Sequence, residues 1–432
     1  MSLVTNLKKF FMKSNFDFDA PVITLYEFHP QLRLFLAAMG VFFNNRDSRI
    51  RFFWPIICVI LAIVAVTLEG IFIYHFIMIE DYSIATECFC YFVLLGIIPF
   101  IYITVMYNKQ NILELVENMN NDFIYISKLS PKYRDSFFKG HLLIYKLCYA
   151  WLVFTLVIAA MYISGTLTPL LWLSLFATQD ENTIRPLMFP MWLPEDDPYR
   201  TPNYEVFMFF QISFCFIYIQ TFCVYVYTEF HILLHYYNLM ELLIMDFGVI
   251  FDGLDERVFD LPRWDPQRVY VQDTLRKRMR RIVQWHLSIF KAITTVSSVY
   301  GPPLVYQVMF TSLALCLMGY QIADKLDHGK FDILFSMLFV GALIQLWIPC
   351  YLGTMIRNKG FAVGDACWNC GWHETSLGRM LRTDIIILMH RSQQPVVIKF
   401  TGLPHLQLET FSSIVSTAYS YFNMLRQYNA EM

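Results

Sequence analysis

Residues 407–428 read QLETFSSIVSTAYSYFNMLRQY, and their reading decides on which side of a membrane the carboxyl terminus lies. Ser413, Ser416, Ser420, Asn423 and Gln427 recur at steps of three and four, which places all five on one helical face. Phe411, Ile414, Val415, Phe422 and Leu425 occupy the opposite side. Turning a stripe of uncharged polar groups toward lipid is costly, so it should meet water or polar neighbours. Two arrangements do this. Several copies of the helix can wall a pore, each wetting one face, or Ser and Asn can bond between closely packed helices. Either way the segment counts as a span, though a weakly apolar one.

Six earlier runs are much more apolar and meet the roughly 20-residue requirement of a membrane span. They lie at about 52–78, 84–108, 143–167, 205–230, 298–323 and 331–355. The composition agrees: 56% of residues are hydrophobic and 16% charged, against roughly 45–50% and roughly 25% in soluble domains. The start, Met1 to Phe11, carries Lys8 and Lys9 but no cleavable apolar region, so the first span is expected to act as its own insertion signal. Leu34 to Phe43 is too short to cross and suits a re-entrant or interfacial helix.

Charge orients the spans. Lys and Arg number seven in 1–51, five in 109–142, nine in 231–297 and six in 356–406, but two in 168–204, two in 324–330 and none in 79–83. The basic side carries the amino terminus and is therefore cytoplasmic. Seven spans then leave the carboxyl terminus outside. The long basic-side stretches, His231 to Thr295 and Ile356 to Pro404, are expected to continue the flanking spans as helices that pack together. The outer loop from Pro169 to Asn203 has no cysteine and no glycosylation sequon, so neither a disulfide nor a glycan marks it.

Motifs that carry chemistry elsewhere read blandly here. Arg276-Lys277-Arg278-Met279-Arg280-Arg281 suits a solvated helix face better than a lipid-headgroup site, because it lies far from either span. His231 and His235 have metal-binding i, i+4 spacing, but Ile232 stands where a zincin needs Glu; interfacial histidines are the simpler reading. Cys367 and Cys370, a C-x-x-C before His373, lack a second pair, so packing around Trp368 and Trp372 is expected. Glu69 sits inside the first span and must be neutral, paired or facing a polar cavity. No cofactor or nucleic-acid motif stands out. Aromatics are dense, with 40 Phe, 26 Tyr and 9 Trp. Clusters deep in spans two and four, with Met208 and Gln211 among them, suit a pocket for small apolar or semi-polar ligands.

The carboxyl-terminal third resembles the insect odorant receptors, subunits of ligand-gated ion channels. The likeness runs through Ile282-Val283-Gln284-Trp285-His286, Gln307 and Cys316, then Gln345, Cys350, Gly353 and Trp372. It continues with Arg391, Gln394, Pro395, Phe411, Ile414 and the run Tyr419-Ser420-Tyr421-Phe422-Asn423-Met424-Leu425. The resemblance implies an all-α, seven-span membrane protein and a tetramer around a central pore lined by the last span. It implies a cytoplasmic helical anchor and, for a ligand-tuning subunit such as this chain looks like, a shared co-receptor subunit as partner. Expected with it are a small volatile organic ligand, permeating cations, membrane lipid, and the plasma membrane of a sensory dendrite.

The implied division is a cytoplasmic segment 1–51, a six-helix bundle 52–355 including a helical region 231–297, an anchor segment 356–406, and a pore helix with extracellular tail 407–432. Met424 and Tyr428 take the gate-lining places, with Gln427 beside them, while Arg426 stands where the co-receptor has an apolar residue. The implied pocket lies in the outer half of spans two, three, four and six. The candidates are Tyr91, Phe92, Met161, Ser164, Met208, Gln211, Phe335 and Leu338.

Other classes fit less well. A G-protein-coupled receptor would start outside the cell and would usually carry an outer disulfide. A membrane enzyme would need clustered intramembrane His or acidic residues, and a transporter would more often show internal repeats.

Overall fold

The computed structural model describes residues 13, 16–43, 52–176, 187–188, 202–329, 331–394, 396–398 and 405–431. Most of the expected outer loop, Pro395, Lys8, Lys9 and the side chain of Tyr428 lie outside the described residues.

The described regular structure is helical. Two short helices, α1 (Leu25–Phe28) and α2 (Pro30–Ala38), precede the apolar helices α3 (Phe53–Met78) and α4 (Tyr82–Tyr107). An amphipathic connector, α5 (Lys109–Ser127), leads to α6 (Pro131–Phe176) and α7 (Asn203–Gly248). Then come α8 (Pro266–Asp327), α9 (Ile333–Trp368), α10 (Gly378–Ser392) and α11 (Leu408–Glu431). Six of them, α3, α4, α6, α7, α8 and α9, are long and apolar enough to cross a membrane. The less apolar α11 packs on α8 and α9.

Length explains the architecture. About 20 residues cross a bilayer, yet α6 and α7 have 46 residues each, α8 has 62 and α9 has 36. The surplus turns project where Lys and Arg concentrate, here called the basic end. A long hydrophobic core joins them there, drawing on residues 23–41, 97–148, 222–304 and 348–406. Two smaller cores hold the other end. One joins α3, α4 and α7 around Cys58, Ala62 and Phe214; the other joins α4, α8, α9 and α11 around Leu315, Phe335 and Ala418.

The basic run Arg276 to Arg281 does more than face solvent. Arg278 Nη1 donates to the carbonyls of Val249, Ile250 and Asp252 at 2.8–3.0 Å, closing the end of α7. Those carbonyls follow a helix terminus and need donors. Arg281 clamps the buried Asp246 through Nε at 2.9 Å and Nη2 at 2.5 Å, and Tyr133 donates to the same carboxylate at 2.6 Å. Arg276, Lys277 and Arg280 remain exposed.

His231 and His235 are fully buried rather than interfacial. They belong to a four-histidine cluster with His29 and His141. His29 Nε2 lies 3.3 Å from His141 Nδ1, His141 Nε2 lies 3.1 Å from His235 Nδ1, and His235 Nε2 reaches Asp122 at 3.1 Å. His231 stands edge-on to His29, with ring centroids 4.3 Å apart, and its Nδ1 lies 3.1 Å from Cys148 Sγ. His29 joins α1 to α2, so the chain of rings clasps the amino-terminal segment to the bundle. Burial holds the His29 imidazole well below its usual 6.5, helped by the nearby His231, His141, Lys13 and His235.

Candidate ligand cavity and conduction helix

A small apolar space lies among α4, α6, α7 and α9 at the end opposite the basic one. Its walls are Tyr91, Leu94 and Leu95 of α4, Ile158, Ala159 and Tyr162 of α6, Cys215, Tyr218 and Ile219 of α7, and Leu338 of α9. The Tyr162 hydroxyl donates to that of Tyr91 at 2.9 Å. The free volume is about 80 Å³, well under the roughly 300–1,000 Å³ of ordinary ligand pockets. A ligand must therefore push helices or side chains apart. The accessible wall is apolar, the tyrosine hydroxyls adding no surface to it, so a polar atom of a ligand meets them only where the walls shift.

The candidate residues divide around this space. Tyr91 and Leu338 line it, and Phe335, 1% exposed, meets Tyr91 edge-on at 6.3 Å. Phe92 stacks on Phe89 and turns toward Gly70 of α3. Met208 and Gln211 are buried nearer the end of the bundle, where Gln211 Oε1 accepts from the Met188 backbone at 2.8 Å. Met161 and Ser164 border an open surface depression with Asp324, Lys325, His328 and Asp332. The candidate set omits Tyr162, Tyr218 and Cys215, although Tyr218 belongs to the aromatic cluster read in span four. For the two tyrosines a signal was available, since tyrosines within apolar runs need partners for their hydroxyls.

A charged cluster lies beside Phe335, in the outer depression. Lys325 Nζ, near the end of α8, pairs with Glu87 at 3.1 Å and Asp332 at 3.0 Å. The same ammonium sits 5.4 Å from the centre of the Phe335 ring.

On α11, Ser413, Ser416, Ser420, Met424 and Gln427 are exposed and Asn423 is half-buried. Phe411, Ile414, Val415, Phe422 and Leu425 are half-buried on the other side, with Ala418 only 5% exposed among them. The Ser420 hydroxyl donates to the Ser416 carbonyl at 2.9 Å and Thr417 to Ser413 at 2.8 Å, so these side chains are satisfied locally while their face stays open. Both ends of the helix are fixed. Leu408 N donates to Thr354 Oγ1 at 2.9 Å and Arg357 bonds Gln407 at 2.5 Å. At the far end Arg426 pairs with Asp327.

An all-helical membrane bundle with an apolar cavity at one end and a separate amphipathic helix open along a polar face defines a multi-pass membrane protein of receptor type. The sequence profile described as 7tm Odorant receptor matches residues 83–419, and the chain belongs to that family. It is 29% identical over 164 residues to odorant receptor 13a of Drosophila melanogaster, covering 35% of this chain and 38% of that protein. It is 26% identical over 246 residues to odorant receptor 82a of the same fly, covering 56% and 57%. It is 22% identical over 247 residues to odorant receptor Or2 of Anopheles gambiae, covering 56% and 61%. The chain thus spans between 35% and 61% of the length of these and other curated relatives that it matches. Among solved structures it resembles the insect olfactory receptor OR5 from Machilis hrabei in complex with eugenol. The TM-score is 0.74 at 15% identity, over 92% of this chain and 97% of that one. A second structure of OR5 gives a TM-score of 0.72 at 15% identity, over 93% and 98%. At this identity the likeness is one of fold, and the fold is the seven-span odorant-receptor fold.

Proposed function

We propose that this chain is the odorant-binding subunit of a ligand-gated, non-selective cation channel in the plasma membrane of olfactory neurons. It assembles with a co-receptor subunit, as a tetramer, with a cytoplasmic amino terminus. The observation that carries this reading is the pairing of a small apolar, tyrosine-walled cavity with a separate helix whose polar face is exposed among the described residues. The related OR5 is described in complex with eugenol, a small aromatic molecule whose ring suits an apolar, aromatic wall. Tyr91, Phe335 and Leu338 of the expected set, joined by Tyr162 and Tyr218, are the residues proposed to meet the ligand. Ser413, Ser416, Ser420, Asn423, Met424, Gln427 and Tyr428 are proposed to face the ion pathway. The basic-end helices, including 231–297 and 356–406, are proposed as the anchor between subunits.

The proposed mechanism is a shift of populations. A cavity of about 80 Å³ holds a ligand poorly, so a ligand favours whichever arrangement widens it. If that arrangement also dilates the conduction helices, binding opens the pore. The test is co-expression with the co-receptor subunit and recording of cation current during a broad volatile panel. An odorant-evoked current is expected. Surface delivery without any evoked current would reject the reading.

A further inference from the structure

A second concavity lies at the basic end, where α8 leaves the apolar part of the bundle. It encloses about 960 Å³. Its floor is apolar, formed by Phe100 of α4, Ile293 and Val305 of α8, and Val396 and Val397 after α10. Its rim is polar, with Thr294, Ser297 and Ser298 on one side and Arg391 and Gln394 on the other. It lies apart from the candidate odorant cavity and borders the stretches 231–297 and 356–406 proposed as the anchor between subunits.

Three observations say what it fits. Arg391 is exposed, stacks over the Phe290 ring at 4.2 Å and donates to Gln394 Oε1 at 3.0 Å, but meets no carboxylate among the described residues. Among the described residues no Asp or Glu lines the concavity, so its rim carries a net positive charge there. The floor crosses the level where the apolar run of α8 begins, near residue 298, which is the depth of lipid headgroups on the basic side. Pro302 and Pro303 lie within α8 beside the rim. Neither can donate, so the carbonyls of Ser298 and Val299 lose their usual helical partners; Ser298 lines the concavity, whereas Val299 is buried.

We propose that this concavity is a binding site for an anionic phospholipid. Its phosphate meets the Arg391 guanidinium, and one acyl chain lies on the floor between Phe100, Val305 and Val397. The shared chemistry of a phosphate alone does not account for the apolar floor, which is why a lipid is the occupant. A single basic group near a membrane surface favours an anionic lipid about fivefold.

The test uses the full chain purified in detergent with its co-receptor subunit. It is incubated with an equimolar mixture of palmitoyl-oleoyl phosphatidylserine and phosphatidylcholine, and bound lipid is read by native mass spectrometry. Phosphatidylserine should be retained about fivefold over phosphatidylcholine, and Arg391→Gln should bring the two to parity. Val305→Trp, which fills the floor, should reduce retention of both. An unchanged ratio in Arg391→Gln overturns the proposal, as does displacement of phosphatidylserine by equimolar inorganic phosphate. Should Arg391→Gln fail to fold, a photoreactive p-benzoylphenylalanine at position 394 decides. A lipid adduct supports the site, and an adduct to a neighbouring subunit assigns the concavity to subunit contact instead.

Discussion

Arg426 Nη2 holds both carboxylate oxygens of Asp327, at 2.9 and 3.1 Å, and so ties the far end of α11 to the last turn of α8. Lys325, two residues earlier, ties the same turn to Glu87 and Asp332. The end of α8 therefore joins α11 to the starts of α4 and α9. Both partners of the Arg426 pair are more than half exposed, so the bond adds at most about 1 kcal/mol to stability. Its effect should show in gating. Arg426→Ala is expected to move the half-maximal odorant concentration about two- to fivefold with normal surface delivery. The swap of Arg426→Asp with Asp327→Arg should restore it. A swap no better than either single variant would remove the pair from the gating path.

Gly353 meets the chain just before α11. A Cβ there would fall 2.1 Å from the Leu406 carbonyl oxygen, and backbone yields little. Gly353→Ala should cost roughly 1–3 kcal/mol and loosen the fixed base of α11, lowering the thermal midpoint of the purified assembly. Equal midpoints and equal currents would show that the contact has no such constraint.

Cavity volume offers a sharper test. Ala159→Phe should fill much of the free space and reduce odorant sensitivity at least tenfold, an effect of about 1.4 kcal/mol. Met161→Ala, two residues on, changes the outer depression and should move sensitivity less than twofold. The dose–response curves of the two variants distinguish the inner wall from the outer one.

Removing the Tyr162 hydroxyl isolates the polar part of the site. Tyr162→Phe keeps the ring and deletes the donor to Tyr91. Ligands bearing a hydroxyl or carbonyl should lose about three- to tenfold in sensitivity, in line with roughly 1 kcal/mol for a hydrogen bond. Hydrocarbon ligands should change little. Equal losses for both kinds would assign the hydroxyl a packing role alone.

Acid should weaken the amino-terminal clasp. His29 titrates well below 6.5 when folded and near 6.5 when released, so the released form takes up the proton first. Stability from the clasp is complete above about 6.5 and falls as pH drops beneath it. Amide hydrogen exchange in residues 23–41, corrected for intrinsic rates, should speed up between pH 7.5 and 5.5. The acceleration should shrink in His29→Gln. Protection that stays flat with pH in the parent chain contradicts this.

The spans were legible because hydrocarbon imposes a length and a composition. The run at 52–78 became Phe53–Met78 and that at 407–428 became Leu408–Glu431. The extension of α7 and α8 followed from the basic stretches between them. Rotation about each helix axis was not legible. Met161 and Tyr162 differ by about 100° around α6, and only Tyr162 faces the cavity. Depth was uncertain too: Cys215, Tyr218 and Ile219 line the space, one to two turns beyond Gln211. The histidine cluster needed partners far apart in sequence, such as His29 with His141, which no local spacing announces. Arg278 and Arg281 looked like any two members of a charged run until the end of α7 supplied their acceptors.

The 62-residue α8 is one rod, roughly 93 Å long, running from the basic loop to the turn that holds Asp327. Prolines are the usual places for such a rod to bend, and Pro302 and Pro303 sit about 38 Å along the axis from Asp327. A bend of about 5° there sweeps the far end through roughly 3 Å. That is about the diameter of a water molecule, delivered where α8 grips Arg426. Over that arm a small change of angle at the prolines becomes a displacement of ångströms at Asp327.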